Sequence, residues 1–217
     1  ILETLRDFAP EAIIDGHNTS AHSEPFAVAT VDTIPVRQIT CLFTRKLVIV
    51  NRKLGALIEP GPAICPTITV EFGGFMEHRA DMLARETLET FARQKDLFDV
   101  DPLPLQLLRH PLRLEIEPGY HVHYSSSVQD DADITLFNTI DQLNFSSVPA
   151  KTSLGWLGAN GMKGLLVMTP EGDNIVHEFF AEDNGFLVTT RPLTLFMATT
   201  DPYIAQRDCL LYLCADE

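Results

Sequence analysis

Along the chain, apolar and polar positions follow two successive patterns. Over the first hundred residues, segments with helical and strand periodicity interleave. Leu2, Leu5 and Phe8 form a helical stripe that Pro10 closes. Ala12-Ile13-Ile14 reads as a short buried strand ending at Asp15, and "FAVAT" (26–30) alternates as a strand does. Pro35 opens a helix expected to run through Phe43. "KLVIV" is β-branched and apolar, as a strand covered on both faces should be, and so is "TITVEF", which Gly73-Gly74 is expected to stop. The clearest helix spans 76–98, where Ala80, Leu83, Thr87, Phe91 and Phe98 approximate one apolar face opposite mixed charges. Strands interleaved with helices predict an α/β sheet with a parallel component.

The pattern breaks in "DVDPLPLQLLRHP", which carries three prolines. Beyond it, "LRLEIEPGYHVHYS" alternates with period two, and β-like runs follow in "GLLVMTP", "IVHEFFAE", "GFLVTT" and "LTLFMATT". Turn signals at Pro118-Gly119, 171–174 and 183–185 separate them. The reading is an α/β part over 1–103 and a mostly antiparallel β-rich part over 104–217, without internal repeats.

Composition narrows the partners. A chain of 217 residues can bury one large core or two modest ones. A net charge of −14 repels phosphate backbones and argues against nucleic acid as a partner. Basic clusters for an anionic membrane are missing, the nearest approach being Arg45-Lys46 with Arg52-Lys53, and no apolar run is long enough to span a bilayer. Cys41, Cys65, Cys209 and Cys214 lack C-x-x-C spacing and read as buried thiols of a reducing, cytoplasmic compartment. Two short sequons, at Asn18 and Asn144, are of a kind that arises by chance. The chain has no initiator Met and starts inside a helical segment, so a preceding N-terminal part is expected.

Two places carry candidate chemistry. In "DGHNTSAHSEPFAVAT" the apolar strand hands over to Asp15, His17 and Asn18, a carboxylate, an imidazole and an amide in four positions. Ligands gather at the carboxyl ends of strands in open α/β sheets, and a metal-binding imidazole needs an acceptor such as Asp15 to fix its tautomer. An ordinary loop histidine among turn-forming residues stays open as the alternative. In "TITVEFGG", Glu71 ends an apolar strand, where desolvation raises a carboxyl pKa towards general-base work. The alternative is a solvated carboxylate at the start of a loop.

"DGHNTSAHSEPFAVA" resembles the D-x-H-N-T segment of the succinylglutamate desuccinylase/aspartoacylase family, a branch of the zinc carboxypeptidase-like enzymes. "CPTITVEFGG" is similar to the strand bearing that family's catalytic glutamate before Gly-Gly. The order, the spacing, the following amphipathic helix and the β-rich tail also fit. The resemblance implies a mixed sheet flanked by helices, N-terminally truncated, followed by a β-rich domain. It further implies a zinc-dependent amidohydrolase, or deacylase, cleaving a small N-acyl amino acid or related compound. His17 would be a zinc ligand, Glu71 the general acid/base, and Asn18 and Thr19 would line the substrate side; Tyr203 weakly matches a substrate-contacting tyrosine. The family's H-x-x-E ligand pair occurs nowhere in the chain, and the nearest pattern, 78–81, reads as a solvated helix face. Catalytic zinc generally takes three protein ligands, so these residues alone are expected to bind zinc poorly and not to turn over substrate. The rival is a non-catalytic family member serving as a binding or assembly module. A sheet lacking its first strands is also expected to self-associate through its open edge.

Lesser candidates are His121 with His123, which a strand would place on one face, and His22 with Glu24 in the His17 loop. The glycines of "GWLGANGMKG" are not spaced as a phosphate loop, Trp156 there reads as a core or interface residue, and no G-x-S-x-G elbow occurs.

Overall fold

The computed structural model describes residues 1–51, 55–99 and 103–215. Arg52 and Lys53, half of the sparse basic cluster, lie outside the described residues, as do 100–102 of the proline-rich stretch. Contacts divide the chain into two units, one of residues 1–19 and 24–111, the other of residues 20–23 and 112–217. Among the described residues no helix is long and apolar enough to cross a membrane.

The first unit begins with α1 (Leu2–Phe8), which ends where Ala9 turns left-handed at φ 49° before Pro10. Its apolar stripe is not buried, and Phe8 is 78% exposed. The sheet comprises β1 (Ile13–Thr19), β2 (Phe26–Ala29), β3 (Lys46–Ile49), β4 (Thr67–Gly74) and β5 (Gln106–Arg109). Their order is β1-β4-β2-β3-β5, with β2 antiparallel to β4 and the other neighbours parallel. The sheet is thus mixed.

Two strands run further than their apolar residues predict. β1 continues past Asp15 to Thr19, and β4 continues through Gly73 and Gly74. Each is held extended by the other: the parallel ladder pairs Ile13 with Thr67 and continues to His17 with Glu71 and Thr19 with Gly74. Gly16 fits this ladder because a Cβ there would come within 3.2 Å of the Phe72 ring.

Helices run shorter than their patterns. α2 (Ile34–Thr40) is capped by the Thr33 hydroxyl, which accepts from the Val36 N–H, with Pro35 in its first turn. α3 (His78–Arg93) begins after Met76 turns to φ 67° and stops where Gln94 becomes extended. Phe98 nevertheless packs against the same core.

One sheet face supplies Ala27, Ala29, Leu47, Ile49, Ile68, Val70 and Phe72 to this core, and α2 and α3 cover it with Val36, Ile39, Ala80 and Phe91. Phe43 meets Phe72 edge-on at 6.2 Å and lies 5.7 Å from Phe91. By strand alternation the opposite face carries Asp15, His17, Thr67, Thr69 and Glu71.

The second unit holds ten strands in two five-stranded sheets. They are β6 (Leu112–Ile116), β7 (Val122–Ser125), β8 (Ile134–Phe137), β9 (Ser146–Val148), β10 (Ser153–Leu157), β11 (Leu165–Leu166), β12 (Phe180–Asp183), β13 (Phe186–Thr189), β14 (Leu193–Phe196) and β15 (Leu211–Ala215), with short helices α4 (Val176–Phe179) and α5 (Pro202–Ala205). The sheet orders are β12-β13-β10-β8-β7 and β11-β6-β15-β14-β9. All pairings are antiparallel except that of β7 with β8. Both sheets feed one core, including Leu114, Leu136, Leu154, Phe180, Leu195 and Leu213. The run "IVHEFFAE" is half helix: α4 takes its first part and β12 the rest.

Candidate functional site

The ladder between β1 and β4 builds the candidate site. Residues in register on parallel strands project side chains to the same face, so pairing His17 with Glu71 sets imidazole and carboxyl side by side. Two residues earlier on that face, Asp15 pairs with Thr69. Its Oδ1 lies 3.1 Å from His17 Nε2. A proton on Nε2 shared with Asp15 leaves Nδ1 as the ring nitrogen with a lone pair.

Burial separates the roles. The His17 side chain is 53% exposed and that of Asp15 29%, whereas no hydrogen-bond donor among the described residues reaches the buried Glu71 Oε2. On the other side of Glu71, in register on β2, stands fully buried Phe26. Removing the carboxyl from water raises its pKa above the ordinary carboxylate value. His17 pulls it back down and Asp15 pushes it further up, which sets all three in one electrostatic neighbourhood. A carboxyl so raised is a stronger base than a solvated glutamate and can accept and return a proton.

The other candidates have different settings. Asn18 is exposed at a register irregularity of β1, and Thr19 is buried, its carbonyl accepting from the Phe75 N–H at 2.8 Å. Tyr203 belongs to the second unit, in α5, 60% exposed with the Arg207 guanidinium 3.7 Å over its ring. His22 also belongs to the second unit, where its carbonyl accepts from Asn144 Nδ2 at 2.7 Å. Glu24 is ion-paired with Lys46. His121 precedes β7, and its Nδ1 lies 3.7 Å from Asp133 Oδ2. Trp156 packs edge-on against Phe137 at 4.9 Å.

Among the described residues no three His, Cys, Asp or Glu side chains group so as to hold a metal ion. One imidazole, one carboxylate already engaged with it and one desolvated carboxyl do not make the three-ligand set of a catalytic zinc. The sequence does not reveal Phe26 as the cross-strand neighbour of Glu71. Its place follows from the antiparallel insertion of β2 beside β4, which local pattern does not encode.

No family model matches the chain, and no curated protein matches it in sequence. Solved structures do match in fold. Against a succinylglutamatedesuccinylase/aspartoacylase from Rhodobacter sphaeroides the TM-score is 0.52 at 10% identity, covering 95% of this chain and 59% of that one. Against a proposed succinylglutamate desuccinylase/aspartoacylase from Shewanella frigidimarina it is 0.51 at 11% identity, covering 98% and 56%. The chain therefore has a fold resembling that of succinylglutamate desuccinylase/aspartoacylase structures and spans less than two thirds of their length.

Proposed function

We propose that the chain is part of an amidohydrolase that removes the acyl group from a small N-acyl amino acid or related compound, with Glu71 moving the proton. The observation that carries this reading is the in-register pairing of His17 with Glu71, whose buried Oε2 has no donor among the described residues. The likeness to structures described as desuccinylase and aspartoacylase agrees with it.

In this mechanism the Glu71 carboxylate takes a proton from the attacking water and returns it to the leaving nitrogen. A carboxyl with a raised pKa suits both halves, because it is a better base than a solvated glutamate and is still acid enough to donate. Asp15 fixes the His17 tautomer and ring orientation, leaving Nδ1 to a metal. Zinc, when bound, would polarise the scissile carbonyl and acidify the water. His17 would be one of its ligands, and no group of three His, Cys, Asp or Glu among the described residues completes the set. Asn18 and Thr19, which follow His17 on β1, are assigned to the substrate side.

The test compares zinc content and hydrolysis of N-acyl amino acids in the whole protein, in Glu71→Gln and in His17→Ala. Glu71→Gln is expected to keep zinc and lose at least a hundredfold in turnover, whereas His17→Ala loses zinc. Undiminished turnover in Glu71→Gln refutes the proton-transfer role, and equal zinc in His17→Ala removes that residue from the metal. The absence of a three-ligand group among the described residues favours one second reading, a non-catalytic binding or assembly module. It predicts no hydrolysis by the whole protein with zinc in excess.

A further inference from the structure

The chain leaves β1 at Thr19 and enters β2 at Phe26, and β4 lies between those two strands, so residues 20–25 cross the end of β4. The register puts that crossing at the candidate site. Glu71 pairs with His17 on one side and with Phe26, the first residue of β2, on the other. The crossing segment is neither helix nor strand, so no ladder of its own fixes its path. Its residues 20–23 belong to the second unit, where the side chain of Asn144 holds them.

Asn144 is only 8% exposed. Its Oδ1 accepts from the Ala198 N–H at 2.8 Å, and its Nδ2 donates to the Ala198 carbonyl at 3.4 Å. The same nitrogen donates to the His22 carbonyl at 2.7 Å. Pairing with Ala198 decides which way the amide faces, since turned over it would set Oδ1 against two carbonyl oxygens. Nδ2 is thereby aimed at His22. Both stretches that form this clamp turn left-handed beside it, Phe145 at φ 61° and Met197 at φ 50°. Non-glycine residues keep that geometry where their surroundings impose it. Phe145 is held there by its N–H to the Leu195 carbonyl and by stacking on Phe196 at 5.4 Å. Nearby, the Ser20 hydroxyl donates to that of Thr199 at 3.4 Å. Asn144, which the sequence marks only as a chance sequon, thus has a use for both lone amide groups.

We infer that Asn144 is a positioning residue of the candidate site: it fixes the β1–β2 crossing and, through it, the end of β1 that carries His17, Asn18 and Thr19. That end needs such a hold. The ladder to β4 is irregular between His17 and Thr19, and it closes where the Phe75 N–H donates to the Thr19 carbonyl at 2.8 Å, one residue before the crossing begins. Asn144 bonds to backbone and so acts through the chain, not on substrate. The effect on turnover rests on the hydrolase reading, whereas the mechanical link from Asn144 to Thr19 does not.

Amide hydrogen exchange and hydrolysis kinetics of the whole protein, wild type against Asn144→Ala, test this. In the variant the Phe75 amide should exchange about tenfold faster, as the loss of one ordinary hydrogen bond implies, while the Leu213 amide in the second core keeps its protection. KM for N-acyl amino acids should rise about tenfold as Asn18 and Thr19 lose their place; a smaller folded fraction would lower apparent kcat and leave KM alone. Should the variant not fold, the wild type in rising urea carries the same test. The Ala198 amide, which donates to Asn144, and the Phe75 amide should then open together and before the global transition. A Phe75 amide indifferent to Asn144→Ala, equal acceleration at Leu213, or independent opening in the wild type overturns the inference. Turnover with an unchanged KM overturns the link to catalysis. A wild type that hydrolyses no N-acyl amino acid overturns the hydrolase reading instead, and the exchange result alone then decides the mechanical link.

Discussion

Glu71→Gln should make the protein more stable at neutral pH, although a carboxyl and a carboxamide occupy nearly the same volume. Glu71 is raised in pKa chiefly by burial, and Oε2 has no donor among the described residues. A group whose folded pKa lies above its unfolded value favours folding fully below the unfolded pKa, near 4.5 here, and loses that contribution as pH rises through the folded pKa. At pH 7, where a glutamate of the unfolded chain is ionised, burying this carboxyl is therefore a cost, of the order of 1–3 kcal/mol for a buried polar group left unpaired. A neutral amide removes the charge but still leaves a polar atom to satisfy, so the net gain should be about 1 kcal/mol. For a chain of 217 residues this corresponds to a rise of about 2–4 °C in the unfolding midpoint. Thermal unfolding followed by circular dichroism at pH 7 and pH 4 reads both parts of the argument. The gain should appear at pH 7 and shrink towards zero at pH 4. A variant less stable than wild type at pH 7, or a gain independent of pH, would refute the desolvation argument and with it the case for a poised base.

Two further outcomes test the frame around the site. Asp32 accepts from Arg37 at 2.6 and 2.7 Å and also pairs with Arg109, and Arg37, helped by Arg109, holds the carboxyl down at about 2. Its contribution is present above the unfolded value of 3.8 and is lost as pH falls through about 2. Allowing for the half-exposed arginines, Asp32→Asn should cost about 1–2 kcal/mol at pH 7, a difference that closes in acid melts; equal midpoints at pH 7 would count against this. In the second unit, a Cβ on Gly155 would stand 2.1 Å from the Thr135 carbonyl oxygen, a backbone atom that cannot step aside. Gly155→Ala should cost several kcal/mol of stability, seen as a lower urea midpoint, or prevent folding, and a wild-type urea curve would show that β8 and β10 do not approach so closely.

Much of the first unit is legible in its pattern because its core strands are apolar without interruption, and "KLVI" and "TITV" announce themselves. The polar continuation of β1 is not legible. Asp15, Gly16, His17 and Asn18 have no intrinsic reason to stay extended, and only the ladder to β4, a strand that begins 54 residues after β1 does, keeps them so. Pattern therefore places the site at a strand end, whereas the structure sets it within the ladder. The pattern helix over 76–98 exceeds α3 at both ends because Met76 and Gln94 leave helical geometry for reasons of chain path, not composition. In the second unit pattern does not single out β8, β9, β10 or β15, since strands of three to five residues give few alternations to stand out from loops. The candidate residues were legible by type. Their mutual register, and the dry neighbour Phe26, were not.

The central claim is that His17, Asp15 and Glu71 share one face and act on each other. Titrating the Glu71 carboxyl carbon by 13C NMR in wild type, His17→Ala and Asp15→Asn tests it directly. The account predicts a wild-type midpoint above that of an ordinary glutamate, a higher one in His17→Ala and a lower one in Asp15→Asn. A Glu71 that titrates as a solvated carboxyl, unmoved by either substitution, would contradict it.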